Sequence, residues 1–105
     1  MNHNYEIIQT KTLDCLLLLK SKRIRIMMRL MVKYNNRCVR CNCEGVKFML
    51  GRAQDNGLHW DIYTSDDIML TIDHIHPKYH GGKNSQENYQ LMCKICNEAK
   101  GSTIE

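Results

Sequence analysis

Residues 71–101 read TIDHIHPKYHGGKNSQENYQLMCKICNEAKG, and this segment decides the fold. The composition of residues 68–73 is that of a strand, and the proline and two glycines after them indicate a loop. A short strand at 89–92 leads into a Cys-x-x-Cys pair, and a helix is expected over residues 97–100. The segment therefore predicts two strands followed by a helix, with polar and sulfur-bearing side chains at the junctions.

A second Cys-x-x-Cys pair lies upstream, at Cys38 and Cys41, and 51 residues separate it from the pair Cys93 and Cys96. Zn²⁺ prefers four tetrahedral ligands, and two such pairs supply them with little strain in the chain. We therefore predict a structural zinc site, because four thiolates leave no position for a catalytic water. Cys43 is an alternative to Cys41 as a ligand, although the spacing is then less regular.

The upstream half of the chain predicts a hairpin and a helix. Segments 46–53 and 58–64 have the composition of strands, and the Asn-Gly pair between them is a strong signal for a hairpin turn. In segment 12–33, apolar residues recur every three or four positions, as on one face of a helix. Residues 1–11 are polar and are expected to be poorly ordered.

Positive charge is concentrated in the first 40 residues, which contain nine Lys/Arg and two Asp/Glu, against six and nine in residues 41–105. A basic helix face can neutralise the phosphates of a nucleic acid, or it can simply be a solvated surface. Leu18, Ile26 and Leu30 interrupt this face, so the helix is also a candidate surface for a homodimer or a larger protein partner. The basic residues that share the face are Lys22, Arg25, Arg29 and Lys33.

Cysteine usage and hydropathy predict the cellular setting. The apolar run 16–19 is far shorter than the roughly 20 residues that span a bilayer, and no secretory signal is visible. We expect no membrane contact and a cytoplasmic location, where paired cysteines bind metals rather than form disulfides. Cys15 lies in the predicted helix and is interpreted as a small buried apolar residue.

The stretch Thr71–Gly101 resembles the signature of the HNH endonucleases, also called ββα-metal nucleases. The residues that carry the resemblance read Asp-His-Ile-x-Pro, then Gly-Gly, then Asn-x-Gln-x-x-Cys-x-x-Cys-Asn-x-x-Lys. The resemblance covers about residues 34–101 when both cysteine pairs are counted. It implies an α+β fold with an N-terminal helix, a zinc-knuckled hairpin region and a treble-clef-like ββα-metal core. Residues 1–33 would be a tail and helix packed on the same domain, and 34–105 the nuclease domain.

The resemblance assigns a role to each matching residue. His74 corresponds to the general base that activates the attacking water, and Asp73 and Asn97 correspond to ligands of the catalytic metal. Asn88 corresponds to the asparagine that holds the strand-to-loop geometry and so orients the base. Because neighbours on a strand point to opposite faces, a tight turn or a bulge has to bring Asp73 and His74 to one phosphate.

Two further matches concern the phosphate. His76 corresponds to a second histidine near the scissile phosphate in phage junction-resolving relatives, and Lys100 corresponds to a lysine that contacts phosphate. A purely structural role stays open for each residue of the base and metal site. Asp73 can cap a turn, His74 can be a buried and hydrogen-bonded histidine, and Asn97 can be a helix N-cap. Structural roles are favoured for the other histidines and for two aromatic residues: His59, His76, His80, Trp60 and Tyr63.

The residue types suit phosphodiester hydrolysis, which needs an activated water and neutralisation of charge on the phosphoryl oxygens. Imidazole accepts a proton near neutral pH, and Mg²⁺ prefers oxygen ligands while it keeps several waters. We predict a metal-dependent endonuclease that acts on DNA with Mg²⁺ or Mn²⁺, and the resemblance implies 5′-phosphate and 3′-hydroxyl products. The alternative is a zinc-stapled DNA-binding or complex-docking module without catalysis.

Overall fold

The computed structural model describes residues 6–12, 22–52 and 58–101. In this part of the chain, one antiparallel sheet has its five strands in the order of the sequence. Helix α1 (Lys22–Lys33) lies between the first two strands in sequence, and helix α2 (Lys94–Lys100) follows the last strand directly. The predicted α+β class is confirmed. The strands are β1 (Glu6–Thr12), β2 (Lys47–Arg52), β3 (Leu58–Tyr63), β4 (Met69–His74) and β5 (Tyr89–Cys93).

Strand β1 corrects two predictions about the start of the chain. Residues 6–11, which we expected to be poorly ordered, pair with β2 in a register that ends at Thr12↔Lys47. The backbone of β1 gains partners on the edge of β2, and the polar composition of the segment does not reveal this gain. Thr12 belongs to this strand, so the predicted helix does not begin there. Residues 13–21, with Cys15, lie outside the described residues.

Helix α1 buries one face against β5 and the core. Ile24, Met27 and Leu30 are the buried residues of this face. The prediction that Leu30 lies on the basic side is wrong, because its exposed fraction is 0%. The four predicted basic residues are exposed. Neither helix in the described residues is long and apolar enough to cross a membrane.

The β2–β3 hairpin is antiparallel with Arg52 opposite Leu58, as predicted, and its turn falls outside the described residues. Strands β4 and β5 then form the centre of the site in a continuous register. Asp73 lies opposite Gln90, and His74 lies opposite Tyr89. Since alternate residues of a strand share a face, Thr71 and Asp73 lie on one face of the sheet. Helix α2 packs on that face, through hydrogen bonds to both residues.

Candidate metal centre and active-site cleft

The two Cys-x-x-Cys pairs come together beside the start of α2. Their four Sγ atoms lie within 4.8 Å of one another, and those of Cys41 and Cys93 are 3.8 Å apart. A tetrahedral ion with Zn–S bonds of about 2.3 Å requires sulfur atoms about 3.8 Å apart. The donor set and its spacing therefore fit zinc. The residues of this cysteine cluster are Cys38, Cys41, Cys93 and Cys96.

Local backbone geometry prepares each pair for a metal. The Arg40 backbone N–H donates to Cys38 Sγ at 3.4 Å, and the Cys96 N–H donates to Cys93 Sγ at 3.4 Å. Such bonds favour the thiolate form, which is the form that binds metal. Cys93 is also the N-cap residue of α2, and Cys96 lies in its first turn, so the helix carries both residues of this pair.

The thiols differ in how readily they ionise. A hydrogen bond from the Cys43 backbone N–H lowers the pKa of Cys41 to about 6. Burial raises the pKa of Cys93 and of Cys96, and it raises the pKa of Cys43 to about 12. Cys43 is not among the four sulfur atoms that lie together, so the grouping favours Cys41 over Cys43 as a ligand. A metal would displace the thiol protons, because coordinated cysteine is a thiolate.

A cleft opens where β4 ends, beside the C-terminal turn of α2. At about 280 Å³, it has room for a phosphate group and a hydrated cation, since one water takes about 30 Å³. The three residues assigned to base and metal all line this cleft. Its lining includes Asp73, His74, Asn97, Lys100, Lys78 and Tyr79.

The position of the cleft explains how neighbours on a strand can reach one phosphate. The β4–β5 register is continuous from Leu70↔Cys93 to His74↔Tyr89, so a bulge does not bring Asp73 and His74 together. Because β4 ends at His74, the cleft wraps around the end of the strand and is lined by residues from both of its faces. The tight turn that follows completes the wall.

Asp73 is 6% exposed, and its charge is balanced within the protein. Its Oδ2 accepts hydrogen bonds from Lys100 Nζ at 2.9 Å and from Gln90 Nε2 at 2.8 Å. A buried carboxylate needs such partners, because an uncompensated buried charge is strongly destabilising. Both bonds use Oδ2, so a cation bound here would be held through Oδ1.

Lys100, which the family resemblance assigns to a phosphate contact, lies inside the fold at the cleft wall. It is 2% exposed, and its ammonium group donates to the His74 carbonyl oxygen at 2.8 Å as well as to Asp73. The last turn of α2 directs this side chain inward across the end of β4. Lys100 therefore ties the helix to the strand rather than presenting a charge to solvent.

Asn97 is held with a defined orientation. The Thr71 hydroxyl donates to the Met92 carbonyl oxygen at 2.6 Å, so it can only accept the bond from Asn97 Nδ2 at 2.8 Å. The amide oxygen of Asn97 is thereby directed away from Thr71 and can serve as a cation ligand. The N-cap alternative for Asn97 is wrong, because Cys93 caps α2 and Asn97 lies within the helix.

The ring of His74 is fixed by two neighbours. Its Nε2 lies 2.8 Å from Asn84 Oδ1, and its ring packs edge-on against Tyr89 at a centroid distance of 5.2 Å. Since an amide oxygen can only accept, Nε2 carries the proton and Nδ1 has the lone pair of a base. No sequence motif singles out Asn84. Its position two residues after the glycine pair was the one available signal.

Asn88 clamps both ends of the loop that follows β4. Its Oδ1 accepts from the His76 N–H at 2.8 Å, while its Nδ2 donates to the carbonyl oxygens of His76 and Lys83 at 3.0 and 2.8 Å. Gly82 packs so tightly that an added Cβ would lie 1.7 Å from the His76 oxygen. This geometry supports the role that the family resemblance implies for Asn88.

His76 lies in the loop after β4, outside the cleft lining. Its Nε2 donates to the His80 carbonyl oxygen at 2.8 Å, which closes the loop on itself. Among the described residues, His76 lines a separate depression with Lys83 and Asn88 and does not line the cleft of His74. The structure therefore does not bring His76 to the candidate site, because the turn after Pro77 directs its side chain toward the loop.

Two other sets of residues lie away from the cleft. Trp60 packs on Phe48 at a centroid distance of 4.8 Å, and Tyr63 is buried. Both positions agree with the structural roles expected for these two residues. Arg23 turns toward the sheet, where it pairs with Asp61 and donates to the Trp60 carbonyl oxygen. The sequence does not distinguish Arg23 from the exposed basic residues of α1.

Comparison with known families agrees with the geometry. Residues 63–103 match the family model of the HNH endonuclease. The matched stretch contains β4, β5, α2 and the cleft residues, and it confirms the resemblance on which the roles of these residues depend. No curated protein and no solved structure matches the chain.

Proposed function

We propose that this chain, whose residues 63–103 match the HNH endonuclease family, hydrolyses phosphodiester bonds of DNA at the His74 cleft. One observation carries the proposal: Asp73, His74 and Asn97 line a single cleft. Each of the three side chains is also held by a separate hydrogen bond. A merely structural role for the three residues would not require them to share an open cavity.

His74 acts as the general base. With Nε2 bound to Asn84, Nδ1 accepts a proton from the attacking water. The water oxygen bonds to phosphorus while the bond from phosphorus to the 3′ oxygen breaks. The departing 3′ oxygen takes a proton from a solvent water, which leaves a 5′-phosphate and a 3′-hydroxyl. Asn84 and Tyr89 keep the ring in one orientation, so little reorganisation is needed when the proton moves.

Asp73 and Asn97 would hold a divalent cation, Mg²⁺ or Mn²⁺, through one carboxylate and one amide oxygen. Hard cations prefer such oxygen ligands and retain several waters. A bound cation would supply charge neutralisation for the phosphoryl oxygens. Lys100 keeps the Asp73 carboxylate in place from the side of α2.

The cysteine cluster holds structural zinc, and the exposed basic face of α1 contacts the DNA backbone. Phosphate contacts of this kind give binding without sequence preference. Residues 1–33 are then packed on the nuclease domain of 34–105, and their helix supplies the DNA-binding surface. One active site per chain cuts one strand in each encounter, so a double-strand break requires a dimer or two visits.

Incubation of the pure protein with supercoiled plasmid and Mg²⁺ or Mn²⁺ tests the proposal. Conversion to open-circular or linear DNA is expected. His74→Ala should lower the rate by about 10²–10⁴-fold, the usual contribution of a positioned base, with unchanged zinc content and DNA affinity. The matched control is His80→Ala, an exposed histidine outside the cleft lining, which should lose far less.

Two results would contradict the proposal. A His74→Ala protein that nicks plasmid at the wild-type rate, free of contaminating nuclease, would remove His74 as the base. A wild-type protein that binds DNA and never cuts it would favour the alternative of a binding module without catalysis.

A further inference from the structure

Tyr79 is an exposed aromatic residue at the edge of the cleft. It is 84% exposed, and it lines the cleft together with Asp73 and His74. Among the exposed large apolar side chains of the described residues, Tyr79 alone is aromatic. The core gains nothing from a ring in this position, so a role in the fold does not explain it.

The turn that carries Tyr79 is fixed by several hydrogen bonds. Lys78–His80 form a short 3-10 helix after the buried Pro77, and the backbone N–H groups of His80 and Gly82 both donate to the Pro77 carbonyl oxygen at 2.9 Å. The His76 ring donates to His80 from the other side. The Tyr79 ring is therefore carried by a preorganised turn, which lowers the entropic cost of binding a ligand on it.

One neighbour supports the ring itself. The imidazole of His80 meets the Tyr79 ring edge-on, with a centroid distance of 5.3 Å and an interplanar angle of 84°. With so much of the tyrosine exposed, its ring presents a flat apolar surface to solvent at the mouth of the cleft. A flat, planar ligand is the chemistry that such a surface fits.

The surroundings of Tyr79 select the class of ligand. The exposed Lys78 lines the same cleft, and the other lining groups include a carboxylate, an imidazole and an amide. An apolar protein partner would find few apolar contacts there. A nucleotide offers a planar base for the ring and a phosphate for the lysine, the combination by which many proteins bind single strands.

We infer that Tyr79 stacks on a nucleobase next to the scissile phosphate, and that the cleft selects DNA with an unpaired base at the site of cleavage. The inference rests on the proposed function, because it places the scissile phosphate at His74. Inside a duplex, a base is already stacked on both sides and cannot meet the ring. Single strands, gaps and flaps are therefore the preferred substrate class.

The experiment measures binding in a His74→Ala background, so that the DNA stays intact. A single-stranded oligonucleotide and a blunt duplex of the same sequence serve as probes. Tyr79→Ala should weaken binding to the single strand by about 5- to 150-fold, since stacking on an aromatic side chain is worth about 1–3 kcal/mol per base. Duplex affinity should change much less. Tyr79→Phe keeps the ring and should restore most of the loss.

A second readout locates the stacked base. 2-Aminopurine, placed at successive positions of the single strand, should lose fluorescence at one or two positions on binding and regain it in Tyr79→Ala. Lys78→Gln should weaken the binding of both oligonucleotides and flatten the salt dependence of the affinity, as loss of a phosphate contact does. Val46→Ala, which trims an exposed apolar residue outside the cleft lining, is the control and should bind as the parent does.

The outcomes separate the inference from the proposed function. Unchanged single-strand affinity in Tyr79→Ala would overturn the stacking contact, and equal losses for single strand and duplex would overturn the preference for an unpaired base. If Tyr79→Phe loses as much as Tyr79→Ala, the hydroxyl rather than the ring makes the contact, and stacking is overturned as well. If binding depends on Tyr79 but the protein never cuts DNA, the stacking contact stands and the proposed nuclease activity is overturned. If cleavage and binding do not depend on Tyr79, the nuclease activity stands and the stacking contact is overturned.

Discussion

The cysteine cluster and the His74 cleft are built around the same short helix, yet different forces hold them. In the cluster, the four donors are identical, and local N–H···S bonds prepare each pair within a few residues of chain. In the cleft, the three functional groups differ, and each is held by a side chain from another segment. Each cysteine pair is thus prepared by its own local backbone, whereas every functional group of the cleft depends on a contact with another segment of the fold.

This difference predicts two kinds of mutational effect. Removal of a cysteine ligand should act on folding, because the metal contributes its binding free energy only to the folded state. Removal of a supporting side chain in the cleft should act on the reaction rate, because the sheet and the cluster hold the fold without it.

The largest effect is expected for Cys93→Ser. Cys93 is a cluster member, the N-cap of α2 and a core residue that is 2% exposed. Structural zinc contributes on the order of 10–16 kcal/mol, which matches or exceeds the whole stability of a typical domain, about 5–15 kcal/mol. The variant should lose its metal and unfold, as measured by elemental analysis and circular dichroism.

Cys43→Ser is the matched control for this prediction. Cys43 lies two residues from Cys41 but is not one of the four clustered sulfur atoms, so the variant should keep both metal and fold. A folded wild-type protein that contains no zinc or similar tetrahedral metal would contradict the structural metal site. Metal loss in Cys43→Ser instead of Cys41→Ser would show that Cys43 is the ligand.

A smaller effect, confined to the rate, is expected for Asn84→Ala. Without the Asn84 oxygen, His74 loses the partner that fixes its tautomer and ring orientation. Loss of an orienting partner typically costs about 10–100-fold, and the loss should fall on kcat rather than on KM. ¹⁵N chemical shifts of His74 should report a mixture of tautomers in place of one. Asn84→Asp keeps an acceptor oxygen and should recover part of the rate.

A rate that is unchanged in Asn84→Ala, with a single His74 tautomer, would show that the Tyr89 packing alone orients the base. An unfolded Asn84→Ala protein would show that side chains of the cleft, and not only the cysteine cluster, are needed for folding. Thermal unfolding of the variant therefore accompanies the kinetic measurement. Its melting temperature should stay close to that of the wild type, because Asn84 is exposed.

The same contrast explains what the sequence could predict. The cysteine pairs and the Asp-His motif are short patterns whose spacing already determines the local chemistry. The four sulfur atoms come together in the structure, and Asp73 and His74 line one cleft. The roles that we propose for Asn84 and Tyr79 were not predicted, because they depend on tertiary contacts that no spacing encodes. The burial of Lys100 has the same origin: it follows from how α2 crosses the end of β4. Strand β1 was missed because its stabilising partner lies in β2, about 40 residues along the chain.

The smallest effect on the reaction itself is expected for the double variant Arg25→Gln and Arg29→Gln. Both side chains are exposed on α1, and the helix is held on the sheet by other residues. If each contacts one phosphate, affinity should fall alike for all duplex sequences, and the slope of log K against log salt should flatten by about 1.8, or 0.9 per contact. The cleavage rate at saturating DNA should barely change, because these contacts are made equally before and during the reaction.

Arg23→Gln on the same helix is the control. Since Arg23 pairs with the buried Asp61, its loss should lower the melting temperature and leave the salt slope unchanged. A salt slope that responds to Arg23 and not to Arg25 and Arg29 would show that DNA approaches the sheet side of α1, and the exposed face would then be a solvated surface or a protein contact.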